Sequence, residues 1–199
     1  MYEGLTVKAE NFYCFPALLE AICKCRYCVN IDQQTIGNKL GITVPDNYNI
    51  ADGSGAVMRS GLMRDWGVHI RELPLMTFFH SIGVEVEVNL QNINTIYEGT
   101  LASEINKLLQ GGSDVICGFS YGELYGIDSL RQCGHVGLVV GVSVHGVVKF
   151  YDPGPRGVGM KECDDLHLYD AMHVRDGFLL SIRPKPNNKE LCGLSLATS

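Results

Sequence analysis

No stretch of this chain is apolar for the roughly 20 residues that a membrane span needs. The longest candidate, residues 136–148, carries three glycines and a histidine and reads as two strands. Basic excess is missing as well. Sixteen Lys and Arg stand against 22 Asp and Glu, and the net charge of −6 excludes the footprint of a nucleic-acid binder. The N-terminus lacks the charged-then-apolar pattern of a cleavable signal. Repeats and low-complexity segments are missing, which excludes solenoids and disordered arrays. Gly53-Ser54-Gly55 and Gly111-Gly112 have no strand–loop–helix context, so neither is a phosphate-binding fingerprint. Tryptophan is confined to Trp66, read as a core anchor.

What remains is a chain of 199 residues, 46% hydrophobic and 19% charged, the profile of an ordinary globular protein. One domain over residues 1–199 is expected, with a polar, mobile tail from about 186. Eight cysteines stand at positions 14, 23, 25, 28, 117, 133, 163 and 192. Four of them fall on one expected helix, and reduced thiols in a cytoplasm are the expected state. Secretion by a route without a cleavable signal is the alternative. Cys23-x-Cys25-x-x-Cys28 lacks a second Cys/His pair, and Cys23 points off the face shared by the other two, so no metal site is assigned.

Periodicity predicts helices over 14–28, 32–41, 57–66, 76–82, 101–109 and 163–173. It predicts strands over 68–73, 84–89, 115–120, 136–144, 147–152 and 178–183, with loops at 43–56 and 122–132. Helices come first and an antiparallel sheet dominates the second half, so the fold class is α+β. The chemistry-bearing residues sit at particular places in this plan. Cys14 opens the first helix, where the helix dipole and free N–H groups favour a thiolate. His135 opens the strand 136–144, and Asp152 closes its hairpin partner. That is the chain order of a thiol nucleophile, its base and an orienting carboxylate, groups that only the fold brings together. Taken singly, a helical Cys is most often a core residue and Asp-Pro a turn opener. The joint order carries the reading. A hairpin turning at 145–146 sets His135 opposite position 156, only near Asp152.

Tyr13-Cys14-Phe15-Pro16-Ala17-Leu18, His135-Val136-Gly137-Leu138-Val139-Val140-Gly141, Tyr151-Asp152-Pro153 and Gly177-Phe178-Leu179-Leu180 together resemble the C39-like branch of the papain-like cysteine peptidases. They are also similar to the butirosin-type cysteine acyltransferases. The resemblance spans about residues 10–185, through short motifs. It implies a papain-like fold, with the nucleophile helix packed on a C-terminal antiparallel sheet. It further implies a Cys14/His135/Asp152 triad, no cofactor, and a peptide, protein or acyl-thioester substrate. Two departures stand out: Phe15 replaces the usual Gly after the nucleophile, and Lys8 stands where the family places an oxyanion-hole Gln. Asn11 is the expected substitute donor, beside the Cys14 N–H. Tyr121 and Tyr125, in the loop before the base-bearing strand, are the expected substrate-binding residues. The functions in view are a cysteine peptidase or amidase, an acyltransferase or deamidase on the same fold, and a catalytically inactive binding module.

Overall fold

The computed structural model describes residues 2, 4–44, 67–131, 133–154 and 157–186. The expected helix 57–66, most of the loop 43–56, Trp66 and nearly all of the expected mobile tail lie outside the described residues.

Helix α1 (Cys14–Tyr27) is buried on almost every side: Phe15, Pro16, Ala17, Leu18, Leu19, Ala21, Ile22, Cys23 and Tyr27 are all inside. Pro16 sits in the first turn, where its missing N–H costs nothing. The helix ends one residue before the expected 28. Cys25 is half-buried, and Cys28 is an exposed residue in the left-handed region that stops the helix. Cys28 is also disulfide-bonded, while Cys14, Cys23, Cys25, Cys117, Cys133 and Cys163 are free. The expectation of reduced thiols throughout fails at Cys28, and with it the use of the thiols as an argument for a cytoplasm.

Helix α2 (Gln33–Lys39) begins at Asp32, whose carboxylate accepts from the Thr35 N–H at 2.7 Å. It lies tightly against the turn before α1. A Cβ on Gly37 would come within 2.9 Å of the Tyr13 ring, so glycine permits that approach. Helix α3 (Glu72–Ser81) starts earlier than its sequence pattern suggests, because Pro74 falls within its first turn. The strand expected at 68–73 is not formed: 68–71 are irregular and Glu72 and Leu73 are helical.

The sheet has the order β1-β6-β2-β3-β4-β5, with every pairing antiparallel. Its strands are β1 (Val86–Asn92), β2 (Asp114–Ser120), β3 (Gly134–Val142), β4 (Val148–Asp152), β5 (Gly159–Cys163) and β6 (Phe178–Pro184). Strand β6, the last along the chain, lies inside the sheet between β1 and β2. Strand β5 was not expected, and the helix predicted over 163–173 begins only after it, as α6 (Asp165–His173) behind an Asp164 cap.

Alternation along the strands divides the core in two. Ile116, Val136, Leu138, Tyr151, Leu180 and Ile182 face α1, α2 and α3. Val115, Cys117, Phe119, Phe150 and Leu179 face the other way, toward α4 (Leu101–Gln110) and α6. The architecture is thus mixed α+β, with the N-terminal helices on one face of a six-stranded antiparallel sheet and a second helical layer on the other. Among the described residues, no helix is long and apolar enough to cross a membrane.

Candidate active site

The segment leading into α1 is fastened to the strand that carries Asp152. The Ala9 N–H donates to the Pro153 carbonyl at 2.8 Å, and the Tyr151 hydroxyl donates to the Val7 carbonyl at 2.6 Å. The chain then turns, with the Tyr13 N–H on the Glu10 carbonyl at 3.0 Å and Phe12 at φ 70°. A non-glycine residue in the left-handed region is uncommon and marks a turn held by its surroundings. It delivers Cys14 at the first position of α1. That helix has no side-chain cap and no acidic residue in its first turn, so its positive end is left to the Cys14 Sγ.

How His135 and Asp152 meet is set by the turn and by a bulge. Leu138 pairs with Tyr151 and Val139 with Phe150, whereas Gly141 pairs with Lys149, and the register shifts between them. Continuing the upper register sets His135 opposite position 154 instead of the expected 156. Asp152 then lies two residues along on the same face, the diagonal neighbour. The resulting contact is direct: His135 Nε2 and Asp152 Oδ1 are 2.7 Å apart, with His135 7% exposed and Asp152 0%. A carboxylate partner makes Nε2 the protonated nitrogen and leaves Nδ1 for Cys14. The Cys14 side chain lies near enough to the imidazole to favour its charged form. Thus the structure brings all three expected catalytic residues together.

Burial alone would lower the affinity of His135 for its proton. The hydrogen bond to Asp152 and the nearness of Cys14, together with their charges, outweigh it and raise the pKa to about 9. Asp152 is pushed up by burial but held below the usual carboxylate range by His135, Tyr125 and the Gly154 N–H. The raised His135 pKa has a consequence for stability. The imidazolium stabilises the fold fully below its unfolded value of about 6.5, and that contribution is lost as pH rises through about 9. The stability difference between the wild type and His135→Gln, from urea unfolding, should therefore shrink between about pH 6.5 and pH 9.5. A constant difference across that window would show that His135 carries no proton there.

The two tyrosines expected to bind substrate pack around His135 and Asp152. Helix α5 (Tyr121–Tyr125) and a short 3₁₀ turn, Asp128–Leu130, replace the predicted loop. The Tyr121 ring meets the imidazole edge-on at 5.2 Å between centroids, and Phe119 meets it at 5.6 Å. The Tyr125 hydroxyl donates to Asp152 Oδ2, so it is engaged by the protein itself. Sequence reading missed this contact. The sequence signalled the helix, though not the contact, in Ser120-Tyr121-Gly122-Glu123, a capping-box pattern: Ser120 Oγ accepts from the Glu123 N–H at 3.1 Å.

Asn11 lies in the turn before Cys14, half-buried, and its carboxamide forms no hydrogen bond with another described residue. Lys8 is exposed. Its carbonyl accepts from Gln33 Nε2 at 3.1 Å, while Gln33 Oε1 accepts from the Glu10 N–H at 3.0 Å. No group of three or more His, Cys, Asp or Glu fit to hold a metal ion occurs among the described residues. Compared with known proteins, the chain matches no family model, and no curated protein matches it.

Proposed function

We propose that the protein is a papain-like thiol enzyme that uses Cys14, His135 and Asp152 for hydrolysis or transfer of an acyl group. The observation that carries this reading is a buried imidazole hydrogen-bonded to Asp152, with a cysteine at a helix N-terminus close enough to favour its charged form. In this reading the Cys14 sulfur attacks the carbonyl carbon of an amide or thioester. The oxyanion is held by the Cys14 N–H with the Asn11 carboxamide. His135 gives its Nδ1 proton to the departing amine or thiol, leaving an acyl-enzyme thioester. Water or an amine then gives a proton to His135 Nδ1 as it attacks that thioester, and Cys14 is released. Asp152 keeps Nε2 protonated throughout and offsets the imidazolium charge.

Lys8 in place of an oxyanion Gln favours an acyl thioester over a peptide as substrate. One missing donor costs about 10²–10³ in rate, and a thioester tolerates that loss better than an amide.

The test is selective alkylation. With iodoacetamide at about pH 6, read by mass spectrometry, Cys14 should label roughly tenfold or more faster than the other free cysteines. Burial holds the protons of Cys23, Cys117 and Cys163 tightly, with Cys23 and Cys163 pushed up to about 12. His135→Ala should remove the advantage of Cys14. Equal labelling of Cys14 and Cys25 in the wild type would overturn the proposal and favour a non-catalytic binding module.

A further inference from the structure

We propose that Tyr125 is a positioning residue of this triad: its hydroxyl anchors the second oxygen of Asp152, so that the first stays on His135. The inference rests on the thiol-enzyme reading above. Asp152 is wholly buried, and each of its oxygens is accounted for. Oδ1 accepts from His135 Nε2 and from the Gly154 N–H, both at 2.7 Å, and Oδ2 accepts from Tyr125. Without Tyr125 that second oxygen would be buried with no donor among the described residues. The carboxyl torsion is broad for aspartate, so the group would then be free to swing off the imidazole.

Tyr125 is itself held in place. Ser120 caps α5, and Gly126 closes it in the left-handed region at φ 67°. A Cβ on Gly122 would lie 2.2 Å from the Arg131 nitrogen, so the helix rests directly on the backbone that follows it. The Tyr125 ring lies tilted against Tyr121, 4.6 Å between centroids, and Tyr121 in turn abuts His135. One small helix therefore touches both the base and its carboxylate. Burial, then the contact with Asp152, pushes the Tyr125 proton far above the ordinary range of a phenol, so the hydroxyl stays a donor at every working pH.

Several other ionisable groups face Asp152 among the described residues. Cys117 on β2 and Tyr151 on β4 each feel its charge. Tyr121 Oη on α5, Lys161 Cε on β5 and Asp152 Oδ2 all lie 3.7 Å from the place a Cβ on Gly157 would take. Cys14 stands across the imidazole. Of these, Tyr125 is the one whose hydroxyl bonds the carboxylate. Its hydrogen bond favours the ionised form. Its removal therefore raises the pH at which Asp152 takes a proton and releases His135.

The experiment is the iodoacetamide rate at Cys14 against pH in the wild type, Tyr125→Phe, Asp152→Asn, the double variant and His135→Ala. Tyr125→Phe keeps the ring and should unfold as cooperatively as the wild type, but its acid limb should move up by about one pH unit. On the Asp152→Asn background the same change should have no further effect, because the carboxylate it serves is gone. An acid limb that coincides with the wild type, or an equal shift on both backgrounds, would overturn the inference. If His135→Ala labels like the wild type, the thiol-enzyme reading itself falls. If His135→Ala loses the reactivity while Tyr125→Phe leaves the limb in place, only the role of Tyr125 falls.

Discussion

Cys14→Ala and His135→Ala should each lower turnover of a small acyl thioester by about 10⁴–10⁶-fold, and the double variant should be no slower than the worse single. The non-additivity follows from the geometry. In the proposed mechanism the sulfur of Cys14 and the imidazole of His135 share one proton-transfer event, so removing either leaves the other without a task. What survives is acceleration by binding and by the oxyanion donors alone. Asp152→Asn should be milder, about 10²–10⁴-fold. It retains the shape of the side chain, but it lets the imidazole adopt the tautomer that cannot accept a proton at Nδ1. The readout is the loss of thioester absorbance, with and without an added amine. Acceleration by the amine would identify transfer, and indifference to it would identify hydrolysis. A Cys14→Ala variant that keeps a tenth of wild-type turnover would rule out covalent catalysis at this sulfur.

The parts of the site that were legible in the sequence are those fixed by local rules. Cys14 could be placed because Pro16 two residues later is tolerated only in a first turn, which set the helix start. His135 and Asp152 could be placed because Val136, Val139 and Val140 announce a strand and Pro153 ends one. Their exact register was not legible, since the turn shifts it by one residue from the expected pairing and a bulge between Val139 and Gly141 shifts it by one more. Nothing in a run of small apolar residues marks a bulge. The short α5 was missed for another reason. Five residues complete little more than one turn, so no periodicity develops, and the Ser120 cap and the contact with the 127–131 backbone define the helix instead. Strand β5 was missed because Gly159-Met160-Lys161-Glu162-Cys163 is an edge strand with half-exposed and exposed residues alternating, stabilised by pairing to β4 more than by an apolar face. That Tyr125 serves Asp152 is a tertiary fact, and position in a loop before the base strand suggested only that it lay nearby.

Arg26→Met should destabilise the protein by about 3–5 kcal/mol at neutral pH, the largest loss expected from a single change outside the triad. Arg26 reaches from the last turn of α1 to the first residue of β2. Its Nη1 is 2.8 Å from Asp114 Oδ1, and its Nη2 donates to the Gly112 carbonyl. The Tyr2 hydroxyl donates to the same carboxylate oxygen. Asp114 is 2% exposed, and its second oxygen has no partner among the described residues, as is also true of the buried Tyr27 hydroxyl. Burial raises the Asp114 pKa even with Arg26 and Tyr2 pulling it down, so the carboxylate depends on its cation. Without the guanidinium, the fold must keep an unpaired buried charge or take up a proton. The sign of the pH effect follows. A carboxyl whose folded pKa lies above its unfolded one is favoured when protonated, so the deficit of Arg26→Met should be largest at about pH 8 and shrink toward pH 5. Arg26→Met combined with Asp114→Asn should recover most of the loss, because a neutral amide still accepts from Tyr2 and no longer needs a cation. Urea midpoints of the wild type, Arg26→Met and the double variant at both pH values decide it. A single variant less than about 1 kcal/mol below the wild type would mean that solvent already reaches Asp114 and that the pair is an ordinary surface bridge.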